Sequence, residues 1–149
     1  MKTYFKPFLL IIAGFIFSCK QKPLEFIKLD QFSKIDTMPD NGKPYYYKKD
    51  VYIVKNYKDN LQNERTVDSF AYKNRAKDLA NYTGYKIVVY KYSDKTNKEN
   101  LKMNPGDFDD YTFDNDMLYI YDWGGGTWSG KMKFKGRETV EAQQMIRED

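Results

Sequence analysis

Four segments of the chain carry the residue pattern of β-strands: residues 45–57, 85–92, 117–123 and 131–135. β-Branched and aromatic side chains dominate the first three, and such side chains suit the pleated surface of a sheet. Residues 85–92 (YKIVVYKY) show the clearest strand pattern, and residues 117–123 (MLYIYDW) are apolar enough to predict a central strand. In residues 131–135, two apolar residues alternate with three lysines, which predicts a half-buried strand near an edge.

Residues 64–82 carry the pattern of the principal helix. Asn63 is predicted as its N-cap, and Gly84 is predicted to take the left-handed conformation after its last turn. The apolar residues recur at helical spacing on one broad face, namely Val67, Phe70, Ala71, Leu79 and Tyr82.

Three further local patterns lie outside these segments. Residues 39–42 (PDNG) predict a tight turn. Thr96 and Glu99 have the spacing of a capping box, which predicts a short helix ending at Met103. Residues 139–147 predict a short terminal helix.

The order of these elements predicts the α+β class. We expect a mainly antiparallel sheet of about four to five strands with one principal helix packed on it, formed by residues 44–149. The competing arrangement pairs the strands at 45–57 and 85–92 in parallel, through a right-handed crossover.

The N-terminus carries the pattern of an export signal. Lys2 and Lys6 precede ten apolar residues at 8–17, and the small residue Ser18 follows before Cys19. Ten helical residues rise only about 15 Å, roughly half of the hydrocarbon core of a membrane, so this run is too short to span it. An ordinary cleaved signal and an uncleaved anchor are both compatible with this pattern.

Ile16, Phe17, Ser18 and Cys19 together resemble the lipobox of bacterial lipoproteins, and the high content of lysine, asparagine and tyrosine resembles that of lipoproteins from Bacteroidota-type bacteria. The resemblance implies a signal peptide at 1–18, cleavage between Ser18 and Cys19, and lipid on the Cys19 thiol. Residues 19–43 would then be the lipidated N-terminus and tether. Because Lys20 rather than Asp follows the cysteine, the resemblance implies an outer-membrane anchor facing the periplasm.

Composition excludes several classes of function. Removal of residues 1–18 leaves a net charge of +2, which does not indicate a nucleic-acid binder. The chain has no histidine, and Cys19 is its single cysteine. These counts exclude Ser-His-Asp and Cys-His catalysis, histidine-ligated zinc and thiol redox chemistry in the mature chain. No cofactor is expected.

One acidic segment is a candidate cation site. Several aspartates lie close together before residue 117, and Ca²⁺ prefers carboxylate and carbonyl oxygens. Their spacing does not match the EF-hand pattern, and the alternative is a solvated loop whose aspartates cap turns. The candidate ligands are Asp107, Asp109, Asp110, Asp114 and Asp116.

Trp123 and Trp128 flank a glycine-rich segment at the tip of a predicted hairpin. Exposed rings at this position could stack on a sugar, a peptide or a partner protein. The alternative is a structural clamp at the end of the core. Trp123 directly follows the apolar strand, so we expect it to be the more buried of the two.

We interpret the chain as a lipid-anchored envelope protein with a non-enzymatic binding domain, whose partner is an envelope protein or a small ligand. The first alternative is a carboxylate-dependent envelope hydrolase, which requires two carboxyl groups converging in a cleft. The second alternative is an inhibitor or immunity-type protein. Glu64 and Asp68 lie one helical turn apart, which is common on exposed helix faces.

Overall fold

A computed structural model describes residues 21–40, 43–78, 82–94, 96, 103–104, 113–124 and 129–144. Within these ranges the chain has the expected α+β class, with one long α-helix and a mostly antiparallel sheet. None of the helices in these ranges has the length and apolar content needed to cross a membrane. The elements are β1 (Glu25–Lys28), β2 (Lys34–Asp40), β3 (Lys43–Lys55), α1 (Leu61–Asp78), β4 (Gly84–Lys91), β5 (Met117–Trp123), β6 (Ser129–Lys135) and β7 (Glu138–Gln144), and a short 3₁₀ turn (Asp114–Asp116) precedes β5.

The sheet contains seven strands, more than the four to five expected. Its order is β1-β3-β4-β5-β6-β7, and β2 pairs with β3 beside β1. The additional strands are β1, β2 and β7, which come from segments without a clear strand pattern. The predicted α+β class, the principal helix and the mainly antiparallel sheet are confirmed. The predicted number of strands is too low.

β3 and β4 pair in parallel, and α1 connects them. This pair follows the competing arrangement that the sequence left open. The other five strand pairings are antiparallel. The sheet is therefore mixed, and α1 packs on one of its faces.

β1 and β2 form one interrupted strand along the same edge of β3. β1 pairs with residues 52–55 of β3, and β2 pairs with residues 43–49. Between them, the Leu29 N–H donates to the Val51 carbonyl at 2.8 Å, and the Val51 N–H donates to Ser33 Oγ at 3.1 Å. The five-residue excursion buries Leu29 and Phe32, so the interruption adds two side chains to the core.

Strand pairing and side-chain contacts are present well before residue 44, where the domain was expected to begin. Gln21 Nε2 donates to Asn63 Oδ1 at 3.0 Å, and Asn56 Nδ2 donates to the Pro23 carbonyl at 2.9 Å. Both bonds attach residues that precede β1 to the start of α1 and the end of β3. Much of the segment interpreted as a tether is therefore part of the sheet or is bonded to the domain.

The predicted helix at residues 139–147 is wrong, because residues 138–144 form β7. Lys135 pairs with Glu138, which leaves Gly136 and Arg137 as a two-residue hairpin loop. Gly136 has φ 62°, and glycine at the first position of such a loop is typical of type II′ turns. The hairpin brings the weakly patterned segment against β6, and this pairing decides its structure.

α1 begins earlier than the predicted residue 64, and its N-cap is Asn60 rather than Asn63. Asn60 Oδ1 accepts a hydrogen bond of 2.9 Å from the Asn63 backbone N–H, and the Asn60 carbonyl accepts from the Glu64 N–H. The Asn63 side chain is buried and donates instead to the Lys58 carbonyl at 2.9 Å. This bond fixes the loop between β3 and α1.

Each face of the sheet carries its own core. On the helix face, Val67 and Ala71 of α1 are fully buried, and Phe70 stacks on Phe26 at 3.8 Å between ring centroids. The sheet side chains on this face include several aromatic rings, which are Tyr52, Tyr85, Tyr119, Tyr121 and Trp123. The opposite face buries Leu29, Phe32, Val51, Ile53, Val88, Tyr90, Phe113, Met117, Ile120 and Phe134.

Gly84 does not take the predicted left-handed conformation, because it is the first residue of β4 and has no positive φ. Glycine is needed there for space. An added Cβ would lie 2.6 Å from Cδ2 of Tyr47 and would also overlap the hydroxyl of Tyr45. These two rings stack on each other at 6.2 Å and cover the glycine.

We expect Gly84→Ala to destabilise the protein by about 1–3 kcal/mol, the usual cost of overpacking. Gly136→Ala is the control, because that glycine has nothing within 4 Å and suffers only from its positive φ. Urea denaturation measures both variants. Adding Tyr45→Phe should restore part of the stability of Gly84→Ala and none of that of Gly136→Ala. Equal effects of Tyr45→Phe in both backgrounds would contradict the steric explanation.

Candidate functional site

A cluster of buried charges lies between α1 and β6 on the helix face. Lys131 Nζ lies 2.7 Å from Glu64 Oε1 and 2.8 Å from Asp68 Oδ1. Lys133 Nζ lies 2.9 Å from Glu64 Oε2 and 3.4 Å from Asp59. Only 10% of the Lys131 side chain is exposed. Glu64 and Asp68 therefore face the sheet, and the interpretation of an exposed helix face is wrong for this pair.

Tyrosine hydroxyls extend this charged cluster into the core. The Tyr121 hydroxyl donates to Asp68 Oδ1 at 2.6 Å, and the hydroxyls of Tyr57 and Tyr119 lie 2.6 Å apart. Lys131 Nζ also lies 5.0 Å from the centre of the Tyr119 ring. The cluster thus joins three carboxylates, two ammonium groups and buried phenols, and Tyr57 and Tyr119 are 62 positions apart in the sequence.

The environment of the cluster shifts the pKa values of one carboxyl group, of the buried lysine and of three tyrosines. Burial alone would raise the pKa of Glu64, but hydrogen bonds and charge from Lys131 and Lys133 lower it below its ordinary 4.5. Burial would lower the pKa of Lys131, but its bonds to Asp68 and Glu64 raise it above 10.5. Burial raises the pKa of Tyr57, Tyr119 and Tyr121. Glu64 and Lys131 are therefore charged at neutral pH, and the three phenols are protonated.

A cavity of about 160 Å³ opens beside this cluster at the rim of the sheet. We call it the rim cavity. It lies where β4 ends, where β5 begins and where β6 turns into β7. Its lining residues are Tyr57, Asp59, Lys91, Asn115, Asp116, Met117, Leu118, Lys133, Phe134, Lys135 and Gly136.

The cations at the rim cavity differ in their pairing. Lys133 is held by Glu64 and Asp59, whereas Lys91 and Lys135 form no ion pair with any residue in the described ranges. Both of these lysines are exposed. The wall of the cavity therefore presents two ammonium groups whose charge no carboxylate of the described residues neutralises.

Most of the predicted cation site lies outside the described residues. Asp107, Asp109 and Asp110 lie outside the described residues, as does the side chain of Asp114. Asp116 Oδ2 lies 2.5 Å from Ser93 Oγ and also contacts the hydroxyl of Thr96. In the described part of the chain, no three Asp, Glu, His or Cys residues group as metal ligands. Asp116 is the one predicted ligand whose side chain lies in the described residues, and one of its carboxylate oxygens already accepts hydrogen bonds from the hydroxyls of Ser93 and Thr96.

The same contacts revise the predicted capping box. Ser93 Oγ accepts a hydrogen bond of 3.0 Å from the Thr96 backbone N–H, so Ser93 rather than Thr96 occupies the capping position. Thr96 is fully buried, with its hydroxyl directed to Asp116. Glu99, the other half of the predicted box, lies outside the described residues.

Trp123 is buried, with 8% of its surface exposed. Its ring stacks with Tyr121 at 5.8 Å and with Tyr85 at 5.9 Å, while Arg75 and Tyr72 of α1 contact it from the helix side. The ring is therefore part of the core and does not offer an exposed stacking surface. Trp128 lies outside the described residues, as do Ser18 and Cys19.

Four residues of this region were not predicted as site residues, namely Tyr57, Lys91, Lys131 and Lys135. The available pattern was the alternation of lysines at 131, 133 and 135 together with two carboxylates one helical turn apart at 64 and 68. Lysines that alternate along a strand can form ion pairs with carboxylates one turn apart on a helix when the helix packs across that strand. Only the fold shows which strand α1 crosses.

We compared the chain with known proteins by family, by sequence and by structure. No protein-family model, no curated protein and no solved structure matches it.

Proposed function

We propose that this chain is a lipid-anchored protein of the bacterial cell envelope whose domain binds a small ligand without catalysing a reaction. The lipobox-like residues 16–19 support the anchor, and Lys20 supports an outer-membrane location facing the periplasm. Two acyl chains or more give stable attachment, since each buried methylene contributes about 0.8 kcal/mol.

The rim cavity is the observation that supports the proposed ligand binding. It combines apolar walls with a few polar groups, as small-molecule sites do. The nearby carboxylates Glu64 and Asp68 are held by Lys131, which leaves neither of them free for proton transfer. A general acid or base needs a pKa near the working pH, and Glu64 is shifted in the opposite direction.

A carboxylate-dependent hydrolase is the second candidate, because Asp59 and Asp116 line the same cavity. The Asp59 side chain is 75% exposed, so it lacks the apolar surroundings of a carboxyl group that serves as a catalytic acid. Incubation with purified envelope glycans tests this candidate. If the wild type releases new reducing ends and the Asp59→Asn variant does not, the protein is a hydrolase and not the proposed binding protein.

Native mass spectrometry of the full-length chain, released from membranes in detergent, tests ligand binding. We expect a small molecule to remain bound to the wild type. The double variant Lys91→Glu/Lys135→Glu should lose it, and the control Lys73→Glu/Lys77→Glu, altered on exposed positions of α1, should retain it. Equal ligand occupancy in the two double variants, or no bound molecule in the wild type, would contradict the proposal.

We expect Cys19→Ser to abolish membrane retention, because the Cys19 thiol is the single lipid acceptor in the chain. The measurement is membrane fractionation with mass spectrometry of the mature N-terminus. Lys20→Ser is the matched control and should stay in the membrane fraction. A soluble wild type with an unmodified N-terminus would exclude the anchor.

A further inference from the structure

We infer that the rim cavity binds an oxyanion, a carboxylate or phosphate group on a small molecule, through Lys91, Lys135 and Tyr57. This inference rests on the proposed binding function and names the chemistry of its ligand.

The charge of the cavity favours an anion. Three lysines line it, against the two carboxylates Asp59 and Asp116. Asp59 lies 3.4 Å from Lys133, and one Asp116 oxygen accepts from hydroxyl groups. Lys91 and Lys135 have no such counterpart in the described residues. Charge-assisted bonds from an ammonium to a carboxylate or phosphate are among the stronger polar contacts in proteins.

Tyr57 contributes a hydrogen-bond donor. Its hydroxyl lies 2.6 Å from that of Tyr119, and only one of the two protons can occupy this bond. Tyr119 is fully buried and has no other hydrogen-bond partner among the described residues, so its proton is the one that fills the bond. Tyr57, which lines the cavity, therefore keeps its own proton for a ligand acceptor.

The remaining wall limits the size and character of the ligand. Met117, Leu118 and Phe134 form apolar surface within the same cavity. About 160 Å³ is less than the volume of typical pockets for drug-sized ligands. The site thus fits an oxyanion carrying a short apolar group.

Calorimetric titration of the full-length chain in detergent tests this chemistry with three probes. Butyrate and propyl phosphate present an oxyanion on a short apolar chain, and butyramide is the neutral match for butyrate. We expect at least one anion to bind about tenfold more tightly than butyramide, and to weaken as salt rises from about 0.05 to 0.5 M. The tighter of the two anions identifies the oxyanion as carboxylate or phosphate.

Variants assign the contacts. Lys135→Gln and Tyr57→Phe should each weaken the preferred anion about fivefold or more, whereas the control Lys77→Gln on α1 should leave it unchanged. Circular dichroism checks that each variant is folded, and Lys91→Gln replaces Tyr57→Phe if that variant is not.

Butyramide binding as tightly as the anions, or equal anion binding in all variants, would overturn the inference. A neutral molecule found bound by native mass spectrometry would overturn it while leaving the binding function intact. No bound molecule and no probe binding would overturn both.

Discussion

Lys131→Met should destabilise the protein by about 3–5 kcal/mol, the usual cost of removing one partner from a buried ion pair. Asp68 would then lose its ion pair with Lys131, and Glu64 would keep only the one with Lys133. Methionine keeps most of the apolar stem of the side chain, so the loss reports charge rather than volume. Urea denaturation followed by circular dichroism measures it.

Two variants serve as controls for this loss. Lys73→Met removes an exposed lysine of α1 and should change stability by less than about 0.5 kcal/mol. The double variant Lys131→Met/Asp68→Asn also removes the carboxylate that loses its ion pair, and it should recover a large part of the stability. A double variant no more stable than Lys131→Met would show that packing of the lysine, and not its charge, is what matters.

The pH dependence of stability provides a check on the same cluster. The pKa of Glu64 is lowered in the folded state, so its contribution is present above its unfolded value of 4.5 and is lost as the pH falls through the folded value. The pKa of Lys131 is raised, so its contribution is present below 10.5 and is lost as the pH rises through the folded value. Lys131→Met should flatten both limbs of the profile.

Trp123→Ala should cost about 3–5 kcal/mol, as for other large core side chains. The ring stacks with both Tyr85 and Tyr121, and Arg75 lies 5.5 Å from its centre. Tyr72→Ala is the control, because Tyr72 touches the same indole but is 46% exposed. Thermal and urea melts should show a much smaller loss for that variant.

The comparison with Trp128→Ala tests the predicted binding role of the hairpin. If the second tryptophan belongs to a binding surface, its removal should leave stability nearly intact and weaken ligand capture. Equal and severe destabilisation by the two substitutions would leave a structural clamp and remove the binding hypothesis for the hairpin.

The elements that sequence predicted well are those with their own residue pattern. The strand at Met117–Trp123 has the predicted limits, and the strands at Lys43–Lys55 and Gly84–Lys91 lie within two residues of them. Continuous β-branched and aromatic runs explain this agreement, since they bury both faces of a sheet. Residues 39–42 were expected to turn, and Asp40 does pair with Lys43 across the two residues between them.

Elements that depend on a distant partner were not predictable in this way. Residues 138–144 contain few strong strand formers, and it is the hairpin at Gly136 that places them beside β6. Residues 25–40 are polar with scattered apolar positions, and they become strands because β3 offers an unpaired edge. Local propensity is weak in both segments, so tertiary pairing decides their structure.

The site was less predictable than the fold because its members are ordinary surface residue types. Lysine and glutamate are mostly exposed in proteins, and nothing in residues 64 or 131 alone indicates burial. Their pairing follows from the position of α1 over β5 and β6. The rim cavity likewise gathers residues from 57 to 136, which no single motif contains.

The hydrogen bond from Gln21 to Asn63 would restrict how far the domain can move from the proposed lipid on Cys19. Only Lys20 separates the proposed attachment point from Gln21, a reach of about 7 Å in extended chain. With so short a connection, the domain would stay close to the lipid headgroups and could adopt few orientations relative to the membrane. The proposed ligand would then have to arrive at the membrane surface, because a lipid-anchored domain with this connection could not extend far from it to bind the ligand.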